Sequence, residues 1–229
     1  MFDGRFRLQV ERAVRPVGER LRRTKVTPDH LTVVGLLVAL AAAVSIALGA
    51  LQLGLLLVVL AALPDLFDGA LAKASNQASQ RGAFFDSTID RVTDALLLGG
   101  VAWYLADARG AHAAVLPFAV MAVSSLISYQ RAKAESLGLD AKGGLMERAE
   151  RIILLCVGLL FDWLLWWSMW LMLLLVAMTA VQRFVKVWRQ AAVAPATAAR
   201  LEERRARRAS RRATRADRRL RLARRRRVD

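Results

Sequence analysis

The chain has 229 residues, 56% of them hydrophobic, and a formal net charge of +16. Apolarity and charge on that scale coexist only when segregated. Here segments near the roughly 20 residues that cross a bilayer recur between residues 30 and 188, while Arg crowds the ends and alternate connections, which excludes a soluble globule in favour of one multi-spanning membrane domain with a basic tail.

Residues 1–25 set Phe2, Phe6, Val10, Val14 and Val17 at helical spacing among eight Lys and Arg residues, the pattern of an amphipathic helix on a membrane surface. The segment is too long and too charged for the n-region of a cleaved signal, so the first apolar run reads as a retained span. Spans are predicted at about 31–51, 53–73, 84–106, 113–134, 147–166 and 168–188. Cations gather in alternate connections: the N-terminal segment, the turn with Lys73 and Arg81, the loop with Arg131, Lys133, Lys142, Arg148 and Arg151, and the tail. The turns near Ala50, His112 and Asp162 make the poorer face, where Trp163, Trp166, Trp167 and Trp170 suit an interfacial belt.

The expected fold is therefore an all-α integral membrane protein of six transmembrane helices, preceded by an amphipathic juxtamembrane helix, with both termini cytoplasmic. Its parts are an interfacial segment at 1–25, a six-helix domain at 26–188 and a basic tail at 189–229. From Arg200 onward the tail holds fifteen Arg against four acids, +11 of the total charge. Lacking interleaved aromatics, it suits anionic lipid headgroups, at about 1 kcal/mol per cation near the surface, better than a specific nucleic-acid site. Cys156, the single cysteine, lies in an apolar run, can form no intrachain disulfide and reads as a small buried hydrophobe.

The chemistry sits between predicted spans two and three. Asp65 and Asp68 are three residues apart, and Asp86 and Asp90 four apart, so on two helices each pair turns both carboxylates to one face. A charged side chain at the bilayer centre costs roughly 2.5–3.5 kcal/mol even on a lenient insertion scale, so four of them need counter-charge or a polar cavity. Two facing pairs offer up to eight oxygens, which matches two hard divalent cations. Gly69 and Gly82 fit places where backbone comes close to a ligand or another helix, and Pro64 can kink the chain beside Asp65. The alternative is that the acids cap helices or pair with Lys73, Arg81 and Arg91.

Taken together, Asp65, Asp68, Gly69, Ala72, Lys73, Gly82, Asp86 and Asp90 resemble the signature of the CDP-alcohol phosphatidyltransferases, with Lys73 standing where that family usually has Arg. The stretches VTPDHLT, SYQRAKAESLGL and GGLMERAERIILL extend the likeness towards the phosphatidylinositol phosphate synthase branch, over most of residues 26–188. The resemblance implies transfer of a phosphatidyl group from CDP-diacylglycerol to an alcohol, releasing CMP. It implies two Mg²⁺ ions, or Mn²⁺, held by Asp65, Asp68 and Asp86, with Asp90 as general base that also touches metal. Thr27, Pro28, Asp29, His30, Gly69, Lys73 and Ser79 would lie around the CDP moiety; from the residues alone, Asp29 is equally an N-cap for the first span. Arg131, Arg151 and Arg183 would converge on the phosphate of the acceptor, although the cytoplasmic bias of cations also places them at helix ends.

The expected partners are CDP-diacylglycerol, a small polyol phosphate, membrane lipids and a second copy of the chain, with no specific nucleic acid. The family implies a cell-membrane enzyme with its active site towards the cytoplasm and inositol phosphate as acceptor. Glycerol 3-phosphate, serine, free inositol or another alcohol is the enzymatic alternative. A membrane cation transporter that uses the acids as an ion site is the alternative of another class.

Overall fold

The computed structural model describes residues 28–62 and 79–192, and every regular element among them is helical. Helix α1 is Pro28–Ala47, opened by a proline whose missing N–H costs nothing in a first turn. A tight turn leads to α2, Leu51–Ala62. Helix α3, Gln80–Arg109, starts at the N-cap Ser79, whose Oγ accepts from Gly82 N at 3.0 Å. A 3₁₀ turn, Ala111–Ala114, feeds α4, Val115–Ser136. Then come α5, Arg148–Leu159, and α6, Asp162–Ala191. Val185–Asp229 form a second unit, whose described residues are the last turns of α6.

Three stretches are long and apolar enough to cross a membrane: Asp29–Ala47, Ala111–Ser136 and Asp162–Ala191. Their outward faces carry exposed Val33, Leu37, Val44, Phe118, Leu126, Leu171 and Leu174, a surface that suits lipid. The protein is an all-helical membrane protein. Its inward faces share one core: Ala42 and Ile46 from α1, Val58 from α2, Leu97, Val101 and Leu105 from α3, Val120 and Ile127 from α4, Leu155 and Leu159 from α5, and Leu165, Met169, Met172 and Val176 from α6. Cys156 packs against that core, half-buried.

The α1–α3 crossing is closed to the backbone. A Cβ on Gly100 would run into the Ala43 carbonyl oxygen and stand 3.0 Å from the Ala43 carbonyl carbon and Cα, none of which can swing aside. Gly100→Ala is expected to destabilise the fold by roughly 1–3 kcal/mol, the range for overpacking a filled core. A lowered melting temperature in detergent checks it.

Two expected boundaries move. The first helix begins at Pro28, so Asp29 lies inside its first turn and is not its N-cap. The fifth predicted span, 147–166, ends seven residues early as a helix of 12 residues, about 18 Å long at 1.5 Å per residue. Helix α6 then runs unbroken for 30 residues. The break is polar: Asp162, in the first turn of α6, accepts from Tyr104 Oη at 2.8 Å and pairs with Arg109 at 3.6 Å, and Arg109 sits 5.4 Å above the Trp166 ring. His112 lies exposed in the 3₁₀ turn near this end. The interfacial segment at 1–25 and the Arg-rich run from Arg200 lie outside the described residues.

Candidate active site

Three inward stripes change chemistry along their length. On α3 the buried line Leu105, Val101, Leu97 and Thr93 continues at helical spacing into Asp94, Asp90 and Asp86. On α5 the line Leu159, Leu155 ends in Arg151, and on α6 the line from Leu165 through Met172 and Val176 ends in Arg183. Arg151 is only 7% exposed and Arg183 only 4%. Charges so deeply placed persist only when paired and hydrogen-bonded.

Their partners are specific. Arg148 Nη1 pairs with Asp90 Oδ1 at 2.8 Å, and Arg148 Nε stands 3.6 Å from Asp94 Oδ1. Arg151 Nη2 donates to the other oxygen, Asp94 Oδ2. Acids and cations alternate from Asp90 through Arg148 and Asp94 to Arg151. Two Arg in the first turn of α5 oppose its helix dipole, so acids must offset them. Glu147 and Glu150 help by closing a reciprocal capping box at that terminus.

Arg183 ties three segments together. Nη1 donates to the Ile127 carbonyl of α4 at 3.1 Å, Nη2 donates to the Gly143 carbonyl at 3.0 Å, and Glu147 Oε1 lies 3.6 Å from Nη2. Gly143 sits at φ +89°, in the left-handed region that glycine enters without strain. Thr179 Oγ1, one turn earlier on α6, accepts from Met146 N at 3.0 Å and so pins the same loop. Arg183 Nε is buried without a hydrogen-bond partner among the described residues. A donor in that state suits an incoming anion. Arg131 and Arg151 both stand close enough to Arg183 for their charges to repel it. Arg131, half exposed at the end of α4, donates its Nε to Glu135 at 3.0 Å. The three Arg named from the sequence are thus brought to one end of the bundle.

The start of α1 reaches that region through α3. A Cβ on Gly82 would lie 3.2 Å from Ser79 Oγ and 3.9 Å from Asp29 Oδ1, so the two helix N-termini are close neighbours. Ser79, expected at the CDP moiety, spends its Oγ as the cap of α3. His30 is exposed and Asp29 half-buried, while of Pro28 the structure describes only its place at the head of α1. A small crevice opens on Asp90, lined by Thr32, Leu36, Ala61, Ile89, Thr93 and Arg148.

Thr27, Asp65, Asp68, Gly69 and Lys73 lie outside the described residues. Among the described residues no group of three or more His, Cys, Asp and Glu could hold a metal ion. Asp86 and Asp90 are half-buried one turn apart on α3, and their all-oxygen donor set fits one side of a hard-cation site. Sequence reasoning missed Asp94 altogether and read Arg148 only as a loop cation. The available signal was the four-residue step from Asp86 to Asp90 to Asp94.

The CDP-alcohol phosphatidyltransferase family model matches residues 25–198. The phosphatidylinositol phosphate synthase of Mycobacteroides abscessus is 36% identical over 176 residues, covering 73% of this chain and 80% of that protein. The archaetidylinositol phosphate synthase of Methanothermobacter thermautotrophicus is 33% identical over 190 residues, covering 81% and 93%. Among solved structures, the phosphatidylinositol phosphate synthase of Mycobacterium tuberculosis with CDP-DAG bound superposes with a TM-score of 0.72 at 32% identity, over 77% of this chain and 94% of that one. The same enzyme in complex with manganese and citrate gives 0.71 at 31% identity, over 76% and 88%.

Proposed function

Because the chain belongs to the CDP-alcohol phosphatidyltransferase family, we propose that it makes phosphatidylinositol phosphate from CDP-diacylglycerol and inositol phosphate, at the cytoplasmic side of a membrane crossed six times. The observation that carries the acceptor is Arg183: a guanidinium only 4% exposed, its Nε without a hydrogen-bond partner among the described residues, with Arg131 and Arg151 within Coulombic reach. So much positive charge suits an acceptor that brings its own phosphate. The inositol phosphate relatives at 36% and 33% identity support the polyol part.

In this reading Asp65, Asp68, Asp86 and Asp90 hold divalent cations, as the manganese complex of the tuberculosis enzyme suggests. When bound, such ions neutralise the diphosphate and polarise the phosphorus under attack. Asp29, Ser79 and the N-termini of α1 and α3 receive the CDP end, with Thr27, Pro28, His30, Gly69 and Lys73 around it. Arg131, Arg151 and Arg183 grip the acceptor phosphate and so aim its hydroxyl at the phosphatidyl phosphorus. The hydroxyl oxygen forms the new P–O bond as the bond to CMP breaks, and the hydroxyl proton passes to Asp90.

CMP release from purified protein with CDP-diacylglycerol and one acceptor at a time tests the reading. Inositol phosphate is expected to support turnover, with free inositol and serine silent. Turnover confined to acceptors without phosphate overturns it, and cation flux without CMP release overturns phosphatidyl transfer itself.

A further inference from the structure

The chain of acids and cations on α3 and α5 contains one carboxylate to which the reaction itself gives no task. Asp94 lies one turn beyond Asp90 on the inward face of α3, its side chain 12% exposed. Oδ2 accepts a hydrogen bond from Arg151 Nη2, while Arg148 Nε stands 3.6 Å from Oδ1, an ion pair beyond hydrogen-bond distance. A guanidinium is a planar fork whose direction is fixed by the acids it meets. Arg148 reaches from Asp94 to Asp90, which would take the proton, while Arg151 lies one turn along α5 from the N-cap Glu147, whose carboxylate is 3.6 Å from Arg183, which would bind the acceptor phosphate.

We propose that Asp94 is a positioning residue that sets the acceptor phosphate in register with Asp90, by aiming Arg151 at the phosphate and Arg148 at the Asp90 carboxylate. The inference rests on the phosphorylated-acceptor reading above. In this role Asp94 acts through Arg148 and Arg151, and not on a substrate. Without its charge Arg151 is left deep in the bundle opposite no acid in this pair, and its fork is free to turn towards Glu147 or Glu150 in the same helical turn. Arg148 would keep Asp90 but lose the second carboxylate charge that draws its Nε side.

Steady-state kinetics of the purified full-length enzyme test this. Asp94→Asn keeps the shape and removes the charge. It is expected to raise KM for inositol phosphate by about tenfold, the scale of one charge-assisted hydrogen bond, while KM for CDP-diacylglycerol moves less than about twofold. In an Arg151→Gln background the same exchange is expected to change the acceptor KM by less than about twofold, because residues acting through one another are non-additive. Should the neutral side chain prevent folding, Asp94→Glu keeps the charge on a longer arm. It is expected to raise the acceptor KM by about threefold and leave the lipid KM alone.

Equal changes in both KM values, no change in either, or full additivity with Arg151→Gln would each overturn the positioning role while leaving inositol phosphate as the acceptor. Wild-type enzyme that turns over only unphosphorylated acceptors overturns both readings, and that result is seen before any variant is made.

Discussion

Exchange of Asp90 for Asn is expected to lower the rate of CMP release by roughly 10²–10⁴-fold, the span that a positioned acid or base contributes. Asparagine preserves the planar head and can still accept from Arg148 Nη1, now 2.8 Å from Oδ1, so the α3–α5 contact survives. It cannot accept a proton at neutral pH, and it offers one oxygen where the carboxylate offers two. The loss should fall on kcat at saturating CDP-diacylglycerol and acceptor, with the thermal midpoint in detergent close to wild type. A variant within tenfold of wild type would remove Asp90 from proton transfer and leave it as a partner for Arg148.

Chelation should be as severe. Asp86 and Asp90 stand one turn apart and half-buried on α3, and a diphosphate brought beside them adds more negative charge. Two unit charges 4 Å apart interact by about 4 kcal/mol at an effective dielectric constant near 20, close to three powers of ten in binding for each uncompensated pair. Arg148 cannot offset this alone, because Asp90 shares it with Asp94. Treatment with excess EDTA followed by desalting is expected to abolish CMP release, and Mg²⁺ or Mn²⁺ to restore it. Undiminished turnover after chelation would mean that the acids serve only their Arg partners.

Much of this organisation is legible in the chain itself, because its signals are local. The largely apolar run from Leu31 to Ala47 reads as a helix without reference to anything else, and the four-residue step between Asp86 and Asp90 fixes their common face once α3 exists. What the sequence hides is pairing between distant segments. The end of α5 is only half legible: a turn near Asp162 is read from the sequence, yet the predicted span runs on to 166 because the residues around that acid are apolar, and the break is held by Tyr104, 58 residues away, donating to Asp162. Asp94 and Arg151 are 57 residues apart, and neither advertises the other. The expected crowding of cations at helix ends accounts for Arg148 without any partner, and so masks its contact with Asp90. Ser79 shows the converse: a residue named from the sequence for its resemblance to a substrate contact also caps its own helix, a local role that the sequence reading did not give it.

The Gly100 crossing has a mechanical consequence. Main chain meets main chain there, with no compressible side chain between α1 and α3. Sliding of one rod past the other would drive Ala43 against the side chains that flank Gly100, so the crossing serves as a pivot that resists slippage.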